Sequence, residues 1–245
     1  MNKLKEKQLT VVVSCMDTRL NDLIEKRYGD KNTVMFRTAG ANVISIMDTI
    51  TEMVSSGKVK EVVIAPHTDC GMLKYAYSVL HGETTPNERT SKLIAPFKGM
   101  SVSSRSEMEA RNGGIQKDLL SHNLKGLRVS IASELIDLSH LTFPAFEHSR
   151  ASLIITEASS RPYNEILYRS GTGMSNSYIL QGDITPHSVK EFLPDINIAV
   201  SVLGIRDIRF DVPGLSATNA NAVIKEVRNA NLSPEIKLRL IHSKR

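Results

Sequence analysis

Two kinds of apolar pattern alternate along the first third of the chain. Thr10–Ser14, Thr33–Arg37 and Val59–Ala65 are short, β-branched, apolar runs with the length and make-up of buried strands. Between them, apolar residues recur three and four positions apart. Leu20, Leu23 and Ile24 lie on one face of a helix starting near Thr18 and stopped by Gly29. Ile46, Met47, Ile50, Met53 and Val54 share a face of a second helix, Val43 to Ser56, which Gly57 stops. A shorter helix is predicted from Cys70 to Val79. Strands alternating with helices predict an α/β fold, a mostly parallel sheet flanked by helices.

Residues 81–113 break the pattern. They are rich in Ser, Thr, Gly, Asn and charge, with Pro86 and Pro96, and read as a long surface insertion that could form a lid. A helix over Ile115–Ser121 and a strand over Leu127–Ala132 follow, then an extended segment from Glu134 to Pro144. Beyond it the chain starts again. Leu153-Ile-Ile-Thr repeats the character of Val11-Val-Val-Ser. Arg161, Arg169, Gly171 and Gly182 follow Arg19, Arg27, Gly29 and Gly40 at an offset of 142 residues. Tyr178 stands in the place of Phe36. Ile198-Ala-Val-Ser-Val reads as the third strand of the second unit, after a small deletion. A constant offset predicts an internal repeat, with residues 1–150 as one unit and 151–245 as a second.

Composition narrows the class without naming a function. The 245 residues are enough to bury a core without disulfides. The net charge of +5 is spread evenly, so no nucleic-acid or membrane patch is expected. No apolar run approaches the 18 residues of a membrane span. The apolar run before Cys15 is too short for a secretory signal, and two cysteines fit a reducing compartment, so a cytoplasmic location is expected.

Candidate chemistry gathers at three strand ends. Cys15-Met-Asp17-Thr-Arg19 follows the first strand, Arg37-Thr-Ala-Gly40 the second, and His67-Thr-Asp-Cys70-Gly71 the third. The C-terminal edge of parallel strands is where open α/β sheets bind their ligands, so residues 52 apart in sequence can converge there. A lone Cys or His is more often a satisfied core residue than a ligand. Here the chain's two cysteines and a histidine each sit at a strand end. Two thiolates and an imidazole suit zinc, and three protein ligands leave one position open, as in catalytic zinc sites. Asp17 beside Arg19 stays ionised at neutral pH. It can orient a water on the metal or swing onto the metal as a fourth ligand.

These three motifs together resemble the β-class carbonic anhydrases. The resemblance implies one zinc per chain, bound by Cys15, His67 and Cys70, with Asp17 and Arg19 as the catalytic dyad at the zinc-bound water. It implies a substrate pocket involving Gly40, Thr38 and Gly71, although the family usually has Asn where this chain has Thr38. The expected reaction is reversible hydration of CO₂ to bicarbonate by zinc-bound hydroxide. Hydrolysis of carbonyl sulfide or carbon disulfide, or a non-catalytic zinc-binding scaffold, are the alternatives. His81, Tyr75 and Tyr77 are candidates for moving the proton out. The family forms dimers that share a sheet, so residues 151–245 are expected to act as a metal-free pseudo-subunit, with further homo-oligomers also compatible. At the equivalent positions Glu157 stands for Cys15, Ser159 for Asp17, Leu203 for His67 and Arg206 for Cys70, and an ion pair between Glu157 and Arg206 is expected where the metal would be.

Overall fold

The computed structural model describes residues 8–30, 32–143, 150–159, 162–230 and 232–241. A single eight-stranded sheet runs through them. The first four strands are β1 (Leu9–Cys15), β2 (Thr33–Thr38), β3 (Val59–Ala65) and β4 (Ser130–Ser133). The last four are β5 (Ser152–Glu157), β6 (Ser177–Gly182), β7 (Asp207–Asp211) and β8 (Lys237–Leu240). Their order is β4-β3-β1-β2-β6-β5-β7-β8. Every neighbouring pair is parallel except β2 with β6, which is antiparallel. The fold is thus a mostly parallel α/β sheet flanked by helices.

The helices are α1 (Asn21–Tyr28), α2 (Met47–Ser55), α3 (Gly71–Leu80), α4 (Glu88–Ile94), α5 (Arg105–Asn123), α6 (Tyr163–Ser170), α7 (Leu193–Asn197) and α8 (Ala217–Asn229). With both sheet faces covered, β1 and β5 run apolar over successive positions rather than alternating. Val11, Val12 and Val13 of β1 are fully buried, as are Leu153, Ile154 and Ile155 of β5. Ile50 and Val54 pin α2 to the sheet.

Three expectations change. The insertion is shorter than its composition implies, because α5 begins at Arg105, capped by the Ser104 hydroxyl on the Glu107 amide. Gly113 and Gly114 hid this helix. Gly113 is there because a Cβ would come within 3.1 Å of the Ser133 Cβ and 3.3 Å of Pro66. Second, Ile198–Val202 is not a strand but a single π-helical turn continuing α7. A short, largely apolar run does not by its pattern tell strand from helix. The true third strand of the second half is β7, Asp-Ile-Arg-Phe-Asp.

Third, that shift moves the equivalences. β1 pairs Val11 with Val34 and Val62, while β5 pairs Leu153 with Tyr178 and Ile208. The offset is therefore 142 in the first strand, 144 in the second and 146 in the third. On the expected repeat, these registers would set Gly182 against Thr38, Leu180 against Phe36, Pro213 against His67 and Ser216 against Cys70. Arg206 precedes β7 at the far end of the sheet from Glu157, about 15–20 Å away at strand rise. Arg206 faces Glu235, and the Glu157 carboxylate accepts the Gly214 amide, so the expected Glu157–Arg206 pair does not form. Arg161 lies outside the described residues.

Candidate metal centre

Each ligand candidate is placed by a strand end. Cys15 closes β1. His67 follows β3 by two residues, and its backbone is bridged to Ile136. Cys70 is the residue just before α3, at its N-cap. Between them Asp69 takes a left-handed conformation, φ 58°, which Asp tolerates better than most residues. That turn brings His67 and Cys70 to the same side.

The sulfurs of Cys15 and Cys70 and a ring nitrogen of His67 all lie within 4.8 Å of one another, and all three residues are buried. The His67 Nδ1–H donates to the Thr68 carbonyl at 2.8 Å. A carbonyl only accepts, so the proton is on Nδ1 and the lone pair on Nε2. Among the described residues, Nε2 is buried with no hydrogen-bond partner. An orphaned imidazole lone pair beside two sulfurs fits a thiophilic cation such as zinc.

The electrostatics agree. The hydrogen bond from Cys70 drives the Cys15 thiol well below its ordinary pKa, with His67 helping, and the same bond together with burial raises Cys70. Burial works to lower His67, and the Cys15 thiolate outweighs it and raises the imidazole.

Asp17 stands beside the centre but is turned away from it. Arg19 grips both carboxylate oxygens, Nε at 3.1 and 3.0 Å and Nη2 at 2.7 Å, and the Arg19 amide adds a bond of 2.9 Å. Burial opposes ionisation of Asp17, but Arg19 and His67 more than offset it and hold the carboxyl below its usual range. Arg19 is fixed in turn by the Asp69 carboxylate at 2.8 Å and carbonyl at 2.9 Å. Of the two arrangements open to Asp17, the structure has the arginine-bound one.

The centre opens into a pocket of about 800 Å³. Gly40 and Gly71 line it, as do Met16, Met72, Tyr178 and Leu203. Thr38, expected there, does not. It is fully buried, and its hydroxyl turns inward to donate to the Asn42 carbonyl at 2.8 Å. Leu203 belongs to this pocket wall rather than to a counterpart of His67. Its Cδ2 is 3.2 Å from where a Gly71 Cβ would sit. The proton-transfer candidates do not line the pocket. His81 stacks on Tyr77 at 4.0 Å, and the Tyr75 hydroxyl meets Thr90.

Several supporting residues escaped the sequence reading. Glu109 of α5 is buried and accepts the Cys70 amide at 3.1 Å. Arg37 is fully buried and donates to the carbonyls of Cys15 and Asp17 and to Asn21 Oδ1. Its guanidinium lies 4.7 Å from the Tyr163 ring. Arg37 is legible in the sequence as the first residue of Arg37-Thr-Ala-Gly40; Glu109 lies in a segment whose composition reads as surface and carries no such signal.

The fold is an α/β sheet whose strand ends gather two cysteines and a histidine that could hold a metal ion. The family model described as carbonic anhydrase matches residues 10–137, more than half of the chain, and the chain belongs to that family, in its β class. At the level of the family this is a lyase-type enzyme. Among solved structures it is similar to a carbonic anhydrase from Glaciozyma antarctica, with 18% identity, 57% of this chain and 83% of that chain covered, and a TM-score of 0.38. It is also similar to the apo form of a carbon disulfide hydrolase, with 20% identity, 54% and 75% covered, and a TM-score of 0.33. A third is the β-carbonic anhydrase CafA of the fungal pathogen Aspergillus fumigatus, with 13% identity, 68% and 83% covered, and a TM-score of 0.37. No curated protein sequence matches the chain. No helix among the described residues is long and apolar enough to cross a membrane.

Proposed function

We propose that the chain catalyses reversible hydration of CO₂ to bicarbonate with one zinc held by Cys15, His67 and Cys70. The observation that carries this reading is the orphaned His67 Nε2 packed with two sulfurs while Asp17 is held aside by Arg19. Bound zinc supplies Lewis acidity that brings a water's pKa from 15.7 toward about 7. Asp17, ionised and fixed by Arg19, accepts a hydrogen bond from the reacting water and orients it. Met16, Met72, Tyr178 and Leu203 give the apolar walls that admit an uncharged substrate. Free thiols at Cys15 and Cys70 suit a reducing, cytoplasmic setting.

Residues 151–245 serve, in this reading, as a covalent pseudo-subunit. Reciprocal bonds across the β2–β6 junction support it. The Ile179 amide donates to the Met16 carbonyl, and the Met35 amide to the Ala158 carbonyl. Arg37 and Gln181 face each other. Arg37 donates to the Cys15 carbonyl and Gln181 to that of Glu157, the residue at the place of Cys15. Each bond has its counterpart at the offsets found above. Glu157, Ser159, Pro213 and Ser216 offer no thiol or imidazole, so the second half is expected to bind no zinc. It lends Tyr178 and Leu203 to the first half's pocket instead.

Stopped-flow CO₂ hydration on purified protein, with zinc counted per chain, tests the proposal. Rapid turnover with one zinc, both lost in Cys70→Ser, is expected. One zinc without turnover leaves a scaffold, and turnover of carbon disulfide or carbonyl sulfide alone changes the substrate; either result overturns the CO₂ reading.

A further inference from the structure

The turn after β2 carries an uncommon backbone. Gly40 has φ 71° and Ala41, next to it, φ 57°. The left-handed region is unfavourable for a residue with a Cβ, so the surroundings must impose it. From one side α5 does so. Asn112 Nδ2 donates to the Gly40 carbonyl at 2.8 Å, and Gln116 Oε1 accepts the Val43 amide at 3.0 Å.

From the other side comes a single residue of the second half, Asp195 of α7. Its Oδ1 accepts the Ala39 amide at 2.6 Å and Asn42 Nδ2 at 2.8 Å. Its Oδ2 accepts the Ser45 hydroxyl. Asp195 is fully buried, and among the described residues no cation pairs with it. Burial pushes its carboxyl up to about 6. An unpaired buried carboxylate is unfavourable unless its donors are well placed. Here three donors converge from three positions of one turn, and the two oxygens of a single carboxylate satisfy them all.

We propose that Asp195 is a positioning residue for the metal pocket, by which the second half sets the geometry of the first half's turn. This rests on the reading of the pocket given above. The route is short. The Thr38 carbonyl accepts the Met16 amide at 2.9 Å, directly after Cys15. Gly40 lines the pocket so closely that a Cβ there would lie 3.0 Å from the Met72 sulfur. Fixing Ala39 therefore fixes both the strand end beside a ligand and one wall.

Hydrogen exchange by mass spectrometry on the full zinc-loaded chain tests this, together with zinc content and CO₂ hydration. In Asp195→Ala, amides of 39–45 exchange at least about ten-fold faster, β5 amides are unchanged, and zinc stays at one per chain. kcat/KM falls about ten-fold. Asp195→Asn restores both: its Oδ1 keeps two donors, and its amide donates to the Ser45 oxygen. Wild-type exchange over 39–45 in Asp195→Ala overturns the proposal, as does an Asp195→Asn variant that behaves like alanine. If Asp195→Ala does not fold, Ser45→Ala decides: about three-fold faster exchange over 39–45 supports the role, and no change overturns it. If the wild type does not hydrate CO₂, the functional reading fails, and the exchange arms still judge Asp195.

Discussion

Arg19 sets what Asp17 does. With two nitrogens on its carboxylate and a third on Asp69, the guanidinium both keeps Asp17 ionised and keeps it from the cysteines. Removing it frees an anion next to a cation site. Arg19→Ala is expected to retain zinc and to raise the Asp17 pKa, while Asp17 swings toward the metal. A displacement of that kind costs on the order of 10²-fold in rate. Stopped-flow hydration read beside zinc content checks it; unchanged turnover would sink the positioning argument. The motif Cys-Met-Asp-Thr-Arg makes this pair visible in the sequence. Asp69 is in plain view there too, but its grip on Arg19 depends on a left-handed turn that spacing alone does not report.

At the scale of the element, α5 shows why pattern reading stopped short. Its buried face carries Met108, Glu109, Asn112, Gly113, Gln116 and Leu120, a mixture of polar, small and apolar residues that produces little apolar periodicity. Asn112, Gln116 and Glu109 are polar because they bond the Gly40 turn, Val43 and Cys70. The paired glycines then differ in role. A Cβ on Gly114 meets nothing within 4 Å, so Gly114→Ala is expected to stabilise the protein by about 0.5–1 kcal/mol through helix propensity. At Gly113 the same change presses on Ser133 and Pro66, and overpacking of about 1–3 kcal/mol exceeds that gain. Urea midpoints shifting in opposite directions would bear this out. The π-helical turn at Ile198–Val202 is the converse case: five apolar or small residues looked like a strand, but that place in the sheet belongs to β7.

In the whole molecule, the antiparallel β2–β6 junction makes one sheet out of two parallel halves, and the buried groups crossing it link folding to pH. Asp195 titrates near 6 when folded against 3.8 ordinarily. Between those values the folded chain holds a proton that the unfolded chain has released. Stability from this group is therefore full below about pH 4, falls as pH rises toward 6, and is level above. A shift of about two units corresponds to an upper bound on the order of 3 kcal/mol. Asp195→Asn removes the ionisation, so its unfolding free energy is expected to change less across pH 4–6 than that of the wild type. Parallel pH series of chemical denaturation decide it, and identical slopes would contradict the assignment.

The sequence alone determined the α/β alternation, because strand and helix periods are local, and pointed to the three strand-end motifs, because cysteine, histidine and an Asp–Arg pair announce their chemistry by type and spacing. Tertiary structure decided the rest. Only packing shows that Thr38 turns inward, that Arg206 and Glu157 lie at opposite ends of the sheet, and that a run of five apolar or small residues coils instead of extending. Only packing brings Asp195, Tyr178 and Leu203 to a site that lies far earlier in the chain. These are consequences of which strand lies beside which, a choice made by burial over the whole sheet, and no local pattern encodes it.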